Sequence, residues 1–150
     1  MKIKKSGFTL IELLVVVVIL GILAAVGLGQ FYTAQKRGRD AQRKENLASI
    51  TKALEMYYND YEQYPNDASS LVWGDEFTDG KTIYMKQLPT DPASNFQYYY
   101  GADADGSYYK LYGLLEHSED IDRGGPYTGT DCGGGTECNY CIASSNESCE

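Results

Sequence analysis

Seventeen consecutive residues, from Leu13 to Gly29, carry neither a charge nor a strongly polar group. Read back to Phe8, the run reaches 22 residues and is interrupted only by Thr9 and Glu12. At about 1.5 Å of rise per helical residue, that length matches a bilayer's hydrocarbon core of roughly 30 Å. The segment is therefore predicted to be a membrane-spanning helix. Lys2, Lys4 and Lys5 precede it, so the positive-inside tendency keeps the N-terminus in the cytoplasm and sends everything after Gln30 to the other side. Phe31 and Tyr32 suit the outer interface, where amphipathic rings settle.

A cleaved secretory signal would share the basic start, the apolar core from Leu13 to Leu23 and a small-residue exit at Ala25-Val26-Gly27. Two features oppose that reading. Glu12 lies inside the apolar run, where a central carboxylate costs about 2.5 to 3.5 kcal/mol and serves no purpose in a targeting core. The helical pattern also continues past the exit with no sign of a fresh mature start.

Charge is divided along the chain. Of 150 residues, 13 are basic and 21 acidic, for a formal charge of −8. Five bases (Lys36, Arg37, Arg39, Arg43, Lys44) cluster after the apolar run, whereas from Asp60 onward 17 acids face four bases. An acidic remainder argues against nucleic-acid binding by the globular portion. The basic run reads as a solvated helix face, with acidic regions of neighbouring copies or anionic lipid headgroups as alternative partners.

Beyond the membrane segment, Leu47, Ile50, Leu54, Tyr57 or Tyr58, and Tyr61 recur at steps of three and four, with Ala41, Ala48 and Ala53 filling gaps. These place an amphipathic helix from 31 to 64, with Arg39, Arg43, Lys52 and Glu55 on its opposite side and Asp40 paired to Lys44. Tyr64-Pro65-Asn66-Asp67 ends it by turn chemistry. Residues 65 to 92 read as loop. Phe96 to Tyr100 and Tyr108 to Leu115 then read as two strands of a hairpin, with Tyr109, Leu111 and Gly113 facing the helix. Because Leu and Ile are scarce here, rings such as Tyr57, Tyr61, Tyr98 and Tyr109 are expected in the core. The fold class is α+β: one long N-terminal helix, half in the membrane and half packed on a small antiparallel sheet.

Cys132, Cys138, Cys141 and Cys149 all lie in a Gly/Ser/Asn-rich tail, 123 to 150, that has too little apolar content to order itself by burial. Outside the cytoplasm they imply two disulfides, with three pairings open. A four-thiolate zinc site around Cys138 and Cys141 is the alternative. Catalysis has no support: His117 is the single histidine, and no nucleophile, base and orienter recur together. Asn146-Glu147-Ser148 fits the glycosylation sequon.

The phrase Lys4-Lys5-Ser6-Gly7-Phe8-Thr9-Leu10-Ile11-Glu12-Leu13-Leu14-Val15-Val16 resembles the prepilin leader and N-terminal methylation motif of type IV pilins and type II secretion pseudopilins. The resemblance implies a leader, 1 to 7, cut by a prepilin peptidase after Gly7, N-methylation of Phe8, and assembly guided by Glu12 pairing with the Phe8 amine of a neighbouring subunit. It divides the mature chain into a filament-core helix, 8 to 30, a helix of the head, 31 to 64, and the rest of the head, 65 to 122. Leu88-Pro89-Thr90-Asp91-Pro92, Ala53-Leu54-Glu55-Met56-Tyr57 and Tyr64-Pro65 extend the resemblance toward the major pseudopilin.

That family carries a proline near mature position 22. This chain has Gly29 there, preceded by Gly27, so a glycine-driven local melt or bend is expected near Gly27 to Gly29, with Gly21 and Gly27 as packing sites between helices the alternative. Major pseudopilins bind calcium in a C-terminal loop, which implies Asp120 and Asp122 as candidate ligands and calcium as the one candidate cofactor. The implied work is structural: the subunit polymerises from the inner membrane, and the filament, periplasmic or extracellular, serves protein export. A surface pilus for adhesion, motility or DNA uptake is the alternative, and a secreted or anchored binding module is the reading from another class. Implied partners are further copies, minor pilins or pseudopilins, the peptidase, a cytoplasmic ATPase, a membrane platform and, before assembly, the lipid bilayer.

Overall fold

The computed structural model describes residues 7–66 and 70–149, with the backbone alone at 26–28. Leader residues 1–6, with Lys2, Lys4 and Lys5, and Asp67 of the turn lie outside the described residues. The chain divides into two compact units, Met1–Lys36 and Arg37–Glu150.

One helix, α1 (Leu10–Tyr61), contributes to both. It begins at a reciprocal cap. The Glu12 carboxylate accepts the Thr9 N–H at 2.8 Å and the Thr9 hydroxyl at 2.5 Å, and the Glu12 N–H returns to the Thr9 hydroxyl at 3.4 Å. This Thr-x-x-Glu box satisfies amides that the first helical turn would otherwise leave open. In the first unit every described side chain from Phe8 to Tyr32 is exposed. Among the described residues this is the one helix long and apolar enough to cross a membrane. The helix runs unbroken through Gly27 and Gly29, and the Thr33 hydroxyl bonds the Gly29 carbonyl at 3.3 Å. A local melt is therefore not seen.

In the second unit α1 buries Leu47, Ile50, Ala53 and Leu54. Ala41 and Ala48, expected beside them, are exposed. The helix stops at Tyr61, and Glu62 turns the chain with a left-handed φ of 57°.

The stretch read as loop holds a small antiparallel pair, β1 (Phe77–Thr78) and β2 (Ile83–Met85). These strands are too short to show period-two alternation. The main sheet has three antiparallel strands, β3 (Tyr99–Ala102), β4 (Tyr109–Gly113) and β5 (Tyr140–Ala143), in that spatial order. Strand β4 alternates as expected, with Tyr109, Leu111 and Gly113 buried. Gly113 lies so near α1 that a Cβ there would stand 3.1 Å from Leu47 Cδ1.

The β3–β4 turn also needs a glycine. Gly106 has φ +71°, accepts the Tyr64 N–H at 2.8 Å, and has no room for a Cβ, which would fall 2.5 Å from the Tyr64 carbonyl. The hairpin tip is thereby seated under the exit of α1.

Strand β5 departs from expectation. It comes from the tail read as unable to order itself, and it pairs along β4 from Lys110↔Ala143 to Gly113↔Tyr140. What aliphatic burial cannot supply, cross-linking and hydrogen bonds do. Cys132–Cys138 and Cys141–Cys149 are the two disulfides. Buried Asn139 mimics a strand edge, taking the Leu115 N–H at 2.7 Å and giving its amide to the Leu115 carbonyl at 3.0 Å. Asn146 of the sequon is likewise engaged, donating to the Ser107 carbonyl at 3.0 Å.

Aromatic rings fill the core that Leu and Ile leave short. Tyr98, Tyr100 and Tyr109 are buried, and Tyr57 packs on Phe77 and Tyr84 at ring separations of 5.5 and 5.2 Å. Tyr61 is the departure: 43% exposed, it stacks on Tyr57 and gives its hydroxyl to Asp79.

Candidate functional site

Two constellations stand out, one in each unit. The first is Glu12 with Phe8. Phe8 is 80% exposed, and the Glu12 cap uses Oε2 alone, with no partner for Oε1 among the described residues. One lone pair set thus remains for a donor from elsewhere. Sequence reasoning assigned Glu12 to assembly and passed over its capping role, although Thr9-x-x-Glu12 ahead of an apolar run is a legible signal.

The second constellation is built on the basic run. Arg43 is fully buried. Its Nε and Nη2 grip Asp91 at 2.7 and 2.8 Å, while Nη1 reaches Asp40 at 2.7 Å and Glu116 at 2.8 Å. The guanidinium also lies 5.6 Å from the Phe96 ring centroid. Asp40, 1% exposed, accepts the backbone N–H groups of Glu116 and His117 at 2.9 and 2.8 Å. Arg39 adds a fork to Glu116 at 2.7 and 2.6 Å, and Arg37 donates to His117. A single stretch of α1 is thereby tied to the segments around 91 and 116.

This corrects the reading of Arg43 as part of a solvated face, and the reading of Asp40 as paired to Lys44. Arg43 precedes Leu47 by four residues, Ile50 by seven and Leu54 by eleven, spacings that keep it on the core side of the helix. The run's bases are mostly spent within their own head. Nothing local in the sequence marks Asp91 as a partner, because 48 residues separate it from Arg43.

Electrostatics follow the geometry. Burial opposes the charge on Arg43, but its hydrogen bonds to Asp91, Glu116 and Asp40 outweigh that, and its pKa is raised. The Arg39 hydrogen bond, helped by Arg43, holds Glu116 down at about 2 from an ordinary 4.5. A depressed carboxylate contributes stability above its unfolded pKa and loses it as pH falls through the folded value. Head stability should therefore decline between about pH 4.5 and 2, with up to about 3 kcal/mol of the loss belonging to Glu116. Denaturation of the full chain across that range tests this: Glu116→Gln should start less stable and fall less steeply. An equal slope in both chains would remove the assignment.

The leader and membrane segment match the prokaryotic N-terminal methylation motif over residues 2–28. A type II secretion system core protein G from Pseudomonas aeruginosa is 37% identical over 119 residues, which cover 74% of this chain and 83% of that protein. The protein of the same title from Vibrio cholerae is 31% identical over 137 residues, 87% of this chain and 91% of the relative. The chain belongs to the type IV pilin and type II secretion pseudopilin family. The type IV major pilin protein PilA of Myxococcus xanthus is 34% identical over 73 residues, 49% of this chain and 33% of that one. No solved structure matches.

Membership makes this pseudopilin-like chain a structural subunit of a pilus-like filament and not an enzyme. The motif and the apolar helix anchor it in a membrane, and the family implies self-polymerisation and processing by a prepilin peptidase.

The calcium that the family implies can be tested against the residues present. Asp120 and Asp122 are held by an ammonium: Lys44 Nζ stands 2.6 Å from Asp120 Oδ1 and 2.7 Å from Asp122 Oδ2. Calcium takes six to eight oxygens at about 2.3–2.6 Å. Among the described residues, no three His, Cys, Asp or Glu side chains are grouped to hold a metal. The pair does not fit a calcium site while Lys44 lies between its carboxylates.

Proposed function

We propose that this chain is a pseudopilin of a type II secretion system, stored in the inner membrane with its N-terminus in the cytoplasm and its head on the far side, and polymerised to drive protein export. The observation that carries the reading is the likeness to two core G proteins across both the apolar helix and the head, 83% and 91% of their lengths. After cleavage following Gly7, the Phe8 amine of one subunit pairs with Glu12 of another. A lone carboxylate in hydrocarbon gains most from a cationic partner, and the pair sets the axial register. The apolar stretches from Phe8 to Gly29 of neighbouring subunits then pack together. Assembly draws on a cytoplasmic ATPase and a membrane platform. A surface pilus is the second reading, favoured by the doubly cross-linked tail.

Mass spectrometry of the protein from membranes of cells that hold a prepilin peptidase tests the processing step. A mature N-methylated start at Phe8 is expected, and a start near Leu28 would overturn the proposal in favour of an ordinary signal peptide.

A further inference from the structure

The loop from His117 to Arg123 has little apolar burial to hold it. Ile121 at its apex is 96% exposed, and Asp122 and Arg123 are exposed as well. Two turn bonds close it locally, Asp120 N–H to the His117 carbonyl at 3.2 Å and Arg123 N–H to the Asp120 carbonyl at 3.1 Å. Asp40 and Arg37 hold its first residue, His117, and beyond that point its tie to α1 is Lys44. That ammonium bridges Asp120 and Asp122 and sits 5.9 Å from the Tyr140 ring centroid, while Asp120 Oδ1 also receives the Asp122 N–H at 3.0 Å.

A loop with two carboxylates converging at one point needs a cation there, because the charges otherwise repel and the turn opens. Either a metal or a side chain can supply it. Lys44 meets that need with a half-buried side chain, 27% exposed, and it brings a charge that no chelator removes.

We propose that Lys44 is the resident cation of this loop and stands where a divalent metal would otherwise be needed, so that the loop orders independently of calcium. A metal could enter only by displacing the ammonium from Asp120 Oδ1, the oxygen already shared with the Asp122 amide. The exchange would surrender two charge-assisted hydrogen bonds for a site with two side-chain carboxylates.

The exposed Arg123 provides a readout. The full-length chain in detergent micelles is digested with an arginine-specific protease, and cleavage after Arg123 is followed by mass spectrometry, with and without millimolar calcium or EDTA. The unsubstituted chain should be cut at the same slow rate under both conditions. Lys44→Met should raise that rate roughly five-fold or more, the factor that corresponds to about 1 kcal/mol of local ordering. Lys44→Arg, which keeps a cationic donor, should stay near the original rate. The proposal is overturned if calcium protects the unsubstituted chain and Asp120→Asn with Asp122→Asn abolishes that protection. It is equally overturned if Lys44→Met is cut no faster while cleavage at the other arginines shows the head still folded.

Discussion

Replacing Arg43 with methionine is expected to destabilise the head by about 3–5 kcal/mol, a large share of a small domain's total. Methionine follows the arginine stem only as far as Nε, so the stem's packing is kept while the buried guanidinium is lost. The charge balance does change: Asp40, Asp91 and part of Glu116 would be left around a site that no longer holds a cation. Stranded buried charge, and not loss of the pair's net attraction, makes removal of one partner so costly. Arg43→Lys should recover only part of the loss, because a single ammonium cannot reproduce the two-pronged grip on Asp91. Urea unfolding of the full chain, followed through Trp73 and the tyrosines, would check both. A methionine variant within about 1 kcal/mol of the parent would show that the cluster is peripheral to stability.

The second large effect is at Glu12, where two roles share one carboxylate. Glu12→Ala should leave the protein in the membrane and abolish filaments. That result alone does not separate assembly from capping, since alanine also removes the reciprocal bonds to Thr9. Glutamine separates them. It serves at the third helical position of a capping box as glutamate does, yet carries no charge for an amine. Glu12→Gln chains should therefore insert, keep the helix start and fail to assemble, whereas Thr9→Val chains, with a weakened cap and an intact carboxylate, should form filaments. Electron microscopy of the surface or sheared fraction, beside a membrane blot, gives the answer. Normal filaments from Glu12→Gln would exclude the charged pairing.

What could be read from the sequence depended on how each residue declares itself. The leader phrase and the uncharged run declare themselves locally, and the core stripe through Leu47, Ile50 and Leu54 does so by period. Arg43 obeys that same period, but a base reads as solvent-facing until its carboxylates are known, and two of them lie 48 and 73 residues downstream. Strands β1 and β2, at two and three residues, are shorter than any alternation test can use. Strand β5 sits in a tail whose composition denies it a core of its own. It is ordered by a neighbour, β4, and by bonds between cysteines whose pairing cannot be counted out of their spacing.

That last strand has a consequence for how the protein is made. Tyr140–Ala143 follows every other strand in chain order, and Cys149, the partner of Cys141 within it, comes later still. The sheet therefore closes with the strand synthesised last. A chain cut short before Tyr140 has a two-stranded sheet with an open β4 edge, and one cut between Ala143 and Cys149 has an unpaired thiol at Cys141. Either differs visibly from a finished head. The order of synthesis doubles as an inspection: only subunits made through Cys149 acquire both the third strand and the bond that locks it.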